Sequence, residues 1–333
     1  MNEAPLLDSF NRRISYLRLS VTDRCDLRCT YCMPQKMTFL PKAEVLSLEE
    51  LHTLAMGFVE RGVDRIRLTG GEPLVRRGIM SLVGSLCGQI GKGLREVTLT
   101  TNGTQLSEFA ADLADAGVRR VNVSLDTLDG AIFERLTRRS RLHDVLAGIE
   151  AALAAGLRVK INTVALKGIN ERDIPDLIEW AHSRGCDITL IETMPLGVVD
   201  EDRTDHYLPL PGVLRQLEDR WGLTPSQYKT GGPARYYDIS ATGGRLGVIT
   251  PLTENFCAGC NRVRVTATGQ LFPCLGGREQ VDLRAALRSR NPAEELTRAL
   301  DTAMHIKPER HHFRIGDRDS EPALARHMSM TGG

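Results

Sequence analysis

The 333 residues carry 43 Lys and Arg against 42 Asp and Glu, with 41% hydrophobic residues, 31 Gly and 15 Pro, a composition that excludes disorder as the main state. A net charge of +1 gives no general pull on polyanions, and 5% aromatic residues argue against a base-stacking platform. No nucleic-acid partner is therefore expected, and any phosphate site must be a local cluster. No apolar run approaches the ~20 residues of a membrane span. The opening segment, Met1 to Arg13, holds acidic residues and no apolar stretch, so it does not read as a signal peptide. The expected address is the cytoplasm, with no membrane partner.

In chain order, six segments rich in β-branched or apolar residues predict strands: Tyr16 to Val21, Arg65 to Thr69, Glu96 to Thr101, Arg120 to Leu125, Val159 to Ala165 and Asp187 to Glu192. Helical patterns separate them. Ser47-Leu48-Glu49-Glu50 is a capping box that opens a helix running through Glu60 and ending at Gly62. Helices over Leu106 to Ala116, Val145 to Ala155 and Ile174 to Arg184 each stop at a following glycine. Such β/α alternation makes right-handed parallel βαβ units, whose chemistry collects at the C-terminal ends of the strands. Those ends carry Arg24-Cys25, Gly70-Gly71-Glu72-Pro73, Asn102-Gly103, Ser124 with Asp126, and Glu192 with Met194-Pro195. After about residue 200 the alternation gives way to short strands and turns punctuated by Gly231-Gly232-Pro233 and Gly243-Gly244.

The cysteines are grouped, which at cytosolic redox potential favours metal ligands or catalytic groups over disulfides. Cys25, Cys29 and Cys32 form C-x3-C-x2-C directly after the first strand. Structural zinc usually closes four protein ligands, whereas three cysteines on a cuboidal 4Fe-4S cluster leave one iron open for chemistry. A zinc knuckle with a distant fourth ligand is the alternative. The second set is Cys257, Cys260 and, after thirteen intervening residues, Cys274. Here zinc stays open, because His305, His311 or His312 could complete a tetrahedral site and spacing alone does not choose. Cys87 and Cys186 read as ordinary buried thiols.

With Tyr31 before its last cysteine, the first motif resembles the radical S-adenosylmethionine superfamily. Gly70-Gly71-Glu72-Pro73 resembles that superfamily's GGEP element, whose backbone meets the methionyl amino group of S-adenosylmethionine. The C-terminal run Asn255-Phe256-Cys257-Ala258-Gly259-Cys260-Asn261-Arg262-Val263-Arg264, the Gly269 to Cys274 segment and the terminal Gly332-Gly333 resemble the GTP 3′,8-cyclase family of molybdenum cofactor biosynthesis. The likeness runs from about Arg12 to the last residue.

That resemblance implies two 4Fe-4S clusters, the first on Cys25, Cys29 and Cys32, the second on Cys257, Cys260 and Cys274. It implies S-adenosylmethionine contacts at Tyr31, Gly71, Ser124 and Met194. Contacts to GTP are implied at Arg18, Arg67, Thr100, Lys160, Arg262, Val263 and Arg264, and a tail, Gly332 and Gly333, that reaches the active site. No side chain is assigned as a general acid or base. An external electron donor and a downstream synthase making cyclic pyranopterin monophosphate are implied partners, and a homodimer is among the expected assemblies. One departure stands out: Thr189 occupies a position where the family commonly has a phosphate-binding Arg. Either Arg158 or Arg184 compensates, or triphosphate binding is weaker. The fold implied is α/β: a partial (β/α)6 TIM-like barrel over residues 1–200, its open side closed by a β-containing region over 201–333. Two other readings remain, a radical peptide-modifying enzyme with an auxiliary cluster and a non-enzymatic zinc or iron–sulfur module.

Overall fold

One sheet of twelve strands runs through the computed structural model, which describes residues 4–200, 203–254, 256–311, 313, 324 and 326–332. Its first half follows the expected alternation: β1 (Tyr16–Ser20), α1 (Leu48–Glu60), β2 (Arg65–Thr69), α2 (Ile79–Cys87), β3 (Glu96–Thr101), α3 (Leu106–Ala116), β4 (Arg120–Ser124), α4 (Gly130–Thr137), α5 (Leu142–Ala154), β5 (Arg158–Ala165), α6 (Ile174–Ser183) and β6 (Asp187–Glu192). The capping box forms as the sequence predicts. Glu50 N donates to Ser47 Oγ at 3.1 Å, and Ser47 N donates to Glu50 Oε2 at 2.8 Å. Helix α2 falls in the helical pattern expected between the second and third strands, which carried no bounds, and α4 is an extra helix ahead of α5. The first is marked by Ile79, Leu82, Val83 and Leu86 on one buried face, and the second by Asp129, whose side chain accepts from Ile132 N at 2.8 Å. Helix α5 begins three residues before its expected start at Val145, because the Asp144 carboxylate in its first turn holds Arg141 at 2.7 Å.

Strands β1 to β6 pair in chain order, all parallel. The second half supplies α7 (Arg203–His206), α8 (Leu210–Trp221), β7 (Thr224–Pro225), β8 (Arg235–Ile239), β9 (Gly244–Ile249), β10 (Arg262–Val265), β11 (Gln270–Phe272), β12 (Val281–Asp282), α9 (Leu283–Leu287), α10 (Pro292–His305) and α11 (Met328–Thr331). Its strands join both edges of the same sheet. β9 lies parallel to β6, and β10 lies parallel to β1. Because β1 and β6 are not neighbours, the barrel is open, a partial α/β barrel as expected.

Side-chain alternation along each strand divides the sheet's two faces. Leu17, Leu19, Ile66, Leu68, Val121, Val123 and Ile161 join the apolar core. On the opposite face the buried side chains include Arg18, Arg67, Thr98, Asn122 and Lys160. A core face rich in leucine and valine thus carries the fold, and the polar inner face carries the site. Among the described residues, no helix is long and apolar enough to cross a membrane.

Candidate active site

Two cavities of about 1130 and 960 Å³ open on the inner face and share a wall made by Asn162, Ile191 and Met194. The first lies at the C-terminal ends of the strands. Cys25, Cys29 and Cys32 line it together with Tyr31, Gly71, Thr100, Ser124 and Met194. The sequence-based set for S-adenosylmethionine therefore converges on one space. Thr100, expected beside GTP, lies in this cavity and not among the cations.

The cysteine loop is held in place by backbone. Arg28 N donates to Thr137 O and Thr30 N to Leu136 O, both at 2.9 Å, so the end of α4 is its frame. The Arg138 guanidinium then donates to the carbonyls of Arg28 and Met33 at 3.3 and 3.4 Å. From the other side Gly70 and Gly71 press on the same loop. A Cβ at Gly71 would stand 2.2 Å from the Arg24 carbonyl oxygen, and Gly70 has φ +135° with Thr22 O at 2.3 Å from a would-be Cβ. The Gly71 N–H donates to Thr22 O at 2.9 Å, so the double glycine is required by this loop whatever else it meets. The fully buried Glu72 accepts from Leu74 N, Thr101 Oγ1 and Asn102 N at 2.6–3.0 Å. It ties the end of β2 to the end of β3.

The protein's own burial and charges favour the protonated forms of Cys25 and Cys29. Burial pushes Cys25 up to about 12, with Glu72, Asp26 and Cys32 adding to it, and burial with Cys32 and Cys25 raises Cys29 well above its usual value. Positive iron reverses that balance, because metal binding displaces the thiol protons. Among the described residues no three His, Cys, Asp or Glu side chains are placed to hold a single metal ion. A cuboidal cluster sets no such demand, since each thiolate takes a different iron. Buried polar atoms without partners face the same space: Thr69 Oγ1, Thr100 Oγ1 and Asn162 Oδ1. A buried polar atom left unpaired is costly, so this lining fits a polar organic ligand beside a cluster. Tyr31 Oη donates to Asp126 Oδ2 at 2.6 Å, and burial raises the Asp126 carboxyl to about 6.

The second cavity gathers Arg18, Arg67, Lys160, Arg262 and Arg264 with Cys257, Cys260 and Cys274. Three of these cations share a row of the sheet, with Arg18 in register with Arg67 on one side and Arg264 on the other. No Asp or Glu lines the space among the described residues. Burial, then Arg264 and Arg67, pulls Arg18 well below its usual value, and burial with Arg67 and Arg120 does the same to Lys160. Arg18 Nε and Nη2 and Arg67 Nε have no hydrogen-bond partner. Such a cluster of desolvated cations fits a polyanion that supplies the missing charge. Burial raises the Cys260 thiol, but Arg262 and Lys307 together outweigh it and bring it down to about 7.

Val263 sits between Arg262 and Arg264 on β10, and alternation turns its side chain into the apolar core. Only its backbone remains for a ligand. Arg264 holds the C-terminal turn, donating to the carbonyls of Gly332 and Thr331; Gly333 lies outside the described residues. Thr189 is fully buried with its hydroxyl unpartnered, beneath Gly247 and Tyr236. Of the two alternatives for Thr189, compensation by a neighbouring arginine finds no support, since neither Arg158 nor Arg184 lines the second cavity. Arg158 is exposed at the first residue of β5, and Arg184, also exposed, pairs with Glu150 at 2.7 Å. Of the histidines considered for zinc, His311 lines the second cavity, His305 is exposed on α10, and His312 lies outside the described residues. Sequence reasoning missed Asn162 and Ile191 in the shared wall, and Lys307. Asn162 was detectable, two residues beyond Lys160 on one strand and so on the same face.

Comparison with known proteins agrees with this geometry. A family model described as Radical SAM superfamily matches residues 19–206, and one described as Molybdenum Cofactor Synthesis C matches residues 186–313. Among solved structures, Streptococcus suis SuiB bound to S-adenosylmethionine superposes with a TM-score of 0.60 at 15% identity, over 92% of this chain and 79% of that one. The structure of anSMEcpe with bound AdoMet gives 0.57 at 15% identity, over 85% and 83%. At those identities the likeness shows the fold. Curated relatives named GTP 3′,8-cyclase are much nearer: one from Erythrobacter litoralis is 69% identical over the full length of both chains, and one from Rhizobium meliloti is 59% identical over 99% of this chain and 95% of its own. Identity of this order along the whole chain, with the Radical SAM match over more than half of it, places the protein in the GTP 3′,8-cyclase family, within the radical S-adenosylmethionine superfamily.

Proposed function

We propose that this enzyme converts GTP to (8S)-3′,8-cyclo-7,8-dihydroguanosine 5′-triphosphate, the first step of molybdenum cofactor biosynthesis. The observation that carries the reading is the shared wall: a three-cysteine cavity and a cation-lined cavity meet at Asn162, Ile191 and Met194. Chemistry begun in one can act on a ligand held in the other without crossing solvent.

When bound, a 4Fe-4S cluster with S-adenosylmethionine supplies a carbon radical able to take the C3′ hydrogen of GTP, and the protein's share is orientation and exclusion of water. Cys25, Cys29 and Cys32 would hold that cluster, with Tyr31, Gly71, Ser124 and Met194 around S-adenosylmethionine. Arg18, Arg67, Lys160 and Arg264 would hold the triphosphate, their mutual repulsion relieved by its charge. Cys257, Cys260 and Cys274 would hold a second 4Fe-4S cluster facing the guanine, with Arg262 beside it. Thr100 belongs with the first cavity, and Val263 contributes backbone alone. Residues 1–200 would thus carry radical generation, and residues 201–333 most of the substrate side. An external one-electron donor and a synthase that consumes the product complete the cytoplasmic sequence. The peptide-modifying alternative has only a shared fold behind it.

The test is anaerobic reconstitution with iron and sulfide, followed by reductant, S-adenosylmethionine and GTP deuterated at C3′. Deuterium in the released 5′-deoxyadenosine is expected. Unlabelled 5′-deoxyadenosine would remove GTP or C3′ from the proposal, and none at all from protein holding both clusters would sink radical chemistry.

A further inference from the structure

Lys307 follows α10 and is 2% exposed, yet among the described residues none of its hydrogen-bond partners is a carboxylate. Its Nζ donates to Pro273 O at 2.5 Å and Arg262 O at 3.1 Å, and stands 3.8 Å from Cys260 Sγ. Pro273 precedes Cys274, and Arg262 lies two residues beyond Cys260. One ammonium therefore grips both cysteine-bearing segments of the second cavity.

Its position is set from the far side by Arg12. That guanidinium donates to the carbonyls of Cys257, Pro308 and Glu309 at 2.9, 2.7 and 2.5 Å, and its charge is balanced by Asp8 at 2.6 Å. Arg12 has its counter-ion; Lys307 has carbonyl dipoles and a sulfur. A buried ammonium needs a negative partner to justify its desolvation, and the thiolate of Cys260 is the one within reach. Arg262 Nη2 is also 3.8 Å from the same sulfur. Cys260 thus meets two cationic donors. The first cavity is built the other way: the side chain donating to Cys25 Sγ is the neutral amide of Asn102 at 3.7 Å, itself held by the Asp26 carboxylate at 2.7 Å.

We propose that Lys307 is the positioning residue of the second 4Fe-4S cluster, its ammonium clamping the Cys260 and Cys274 segments and stabilising the reduced, more negative form of the cluster through the Cys260 sulfur. The inference rests on the second-cluster reading above. Charge and hydrogen bonding at ligand sulfurs are among the terms that set a cluster's reduction potential. The effect is on one-electron reduction by an external donor, and no bond to carbon is made or broken.

The experiment is a dithionite redox titration of the reconstituted full chain followed by electron paramagnetic resonance, comparing Lys307→Met, Lys307→Gln and Lys307→Arg with the wild type. A Cys25→Ala/Cys29→Ala/Cys32→Ala variant identifies the second cluster's signal. In the two neutral variants the reduced-to-oxidised ratio of that cluster at fixed potential should fall roughly tenfold, about 59 mV for a one-electron couple. The first cluster's signal and its response to S-adenosylmethionine should stay unchanged, and Arg should restore the ratio. Loss of the second cluster from the neutral variants with retention in Lys307→Arg would equally support a role for the charge. An unchanged ratio in Lys307→Met or Lys307→Gln overturns the proposal, as does loss of the cluster from all three variants, which would make Lys307 a packing brace. A wild type with iron for one cluster only would sink the second-cluster reading and this inference with it.

Discussion

The Arg264 guanidinium donates to the Gly332 carbonyl at 2.6 Å and to the Thr331 carbonyl at 3.3 Å, so one of the cavity's cations is engaged by the chain's own C-terminal turn. The turn also reaches the other cavity, which Met328 and Ser329 line. Gly332 has φ +71°, and a Cβ there would stand 2.2 Å from Thr69 Oγ1. Alanine is therefore strained twice, by its backbone and by contact. Gly332→Ala should lower cyclisation about 100-fold, the scale of an ångström-level misplacement, while iron content stays that of the wild type. Arg264→Ala should abolish cyclisation with both clusters retained. Normal turnover in either variant would remove the turn or the arginine from the site.

Lys160 illustrates a conflict between stability and binding. It is buried, its ammonium lies 3.3 Å from Tyr236 Oη, and burial with Arg67 and Arg120 lowers its pKa well below 10.5. A lowered lysine pKa means that the folded state disfavours the charge, a cost present below the unfolded value and fading as pH rises toward it. Lys160→Met should raise the thermal midpoint without GTP at pH 7.5, with the gain shrinking toward pH 10. The same variant should raise KM for GTP tenfold or more, because a triphosphate contact is gone. An unchanged KM would refute the assignment of Lys160 to GTP.

Gly71→Ala tests a different claim. Its Cβ would fall 2.2 Å from the Arg24 carbonyl oxygen and 2.6 Å from the carbonyl carbon, and backbone cannot move aside as a flexible side chain can. The loop bearing Cys25 must shift, so the first cluster should be lost or bound weakly while the second is retained. Iron analysis with Mössbauer spectra of each cluster reads this directly. Full occupancy with impaired S-adenosylmethionine binding would show instead that Gly71 serves only the ligand.

Much of this was legible because it is periodic. The six parallel strands agree with their sequence patterns to within a residue at each end, since β-branched runs bounded by glycine-capped helices admit few other arrangements. The three-cysteine loops were legible from spacing. What the sequence hid was non-local. That β9 and β10 would join opposite edges of one sheet follows from packing, not from any local signal, and it is this arrangement that brings Arg262 and Arg264 beside Arg18. Thr100 was placed beside GTP by resemblance alone, and it lines the three-cysteine cavity, because strand alternation gives the face but not the depth along the strand. Val263 shows the reverse case, where alternation alone places the side chain in the core. Lys307 offered no pattern at all, being one lysine after a helix whose partners lie 34 to 47 residues away.

Glu72 gives a pH prediction with a definite sign. Burial raises its carboxyl to about 7, against hydrogen bonds from Asn102 N, Leu74 N and Thr101 Oγ1 that oppose the rise. A carboxyl raised in the folded state binds a proton that the unfolded chain has already lost. The stability it contributes is fully present below the unfolded value of about 4.5 and is lost as pH rises through about 7. In the cluster-free chain, denaturant unfolding should show stability declining across that window, by on the order of 3 kcal/mol from this group. Glu72→Gln should remove that part of the slope. Below about pH 4.5 it should also lower stability by about 1–3 kcal/mol, because the glutamine amide cannot accept from Leu74 N, Thr101 Oγ1 and Asn102 N together, and this deficit should close as pH rises through about 7 and the wild-type carboxyl ionises. Parallel pH curves for variant and wild type would mean that the carboxyl stays ionised in the fold, and that its three donors outweigh its burial.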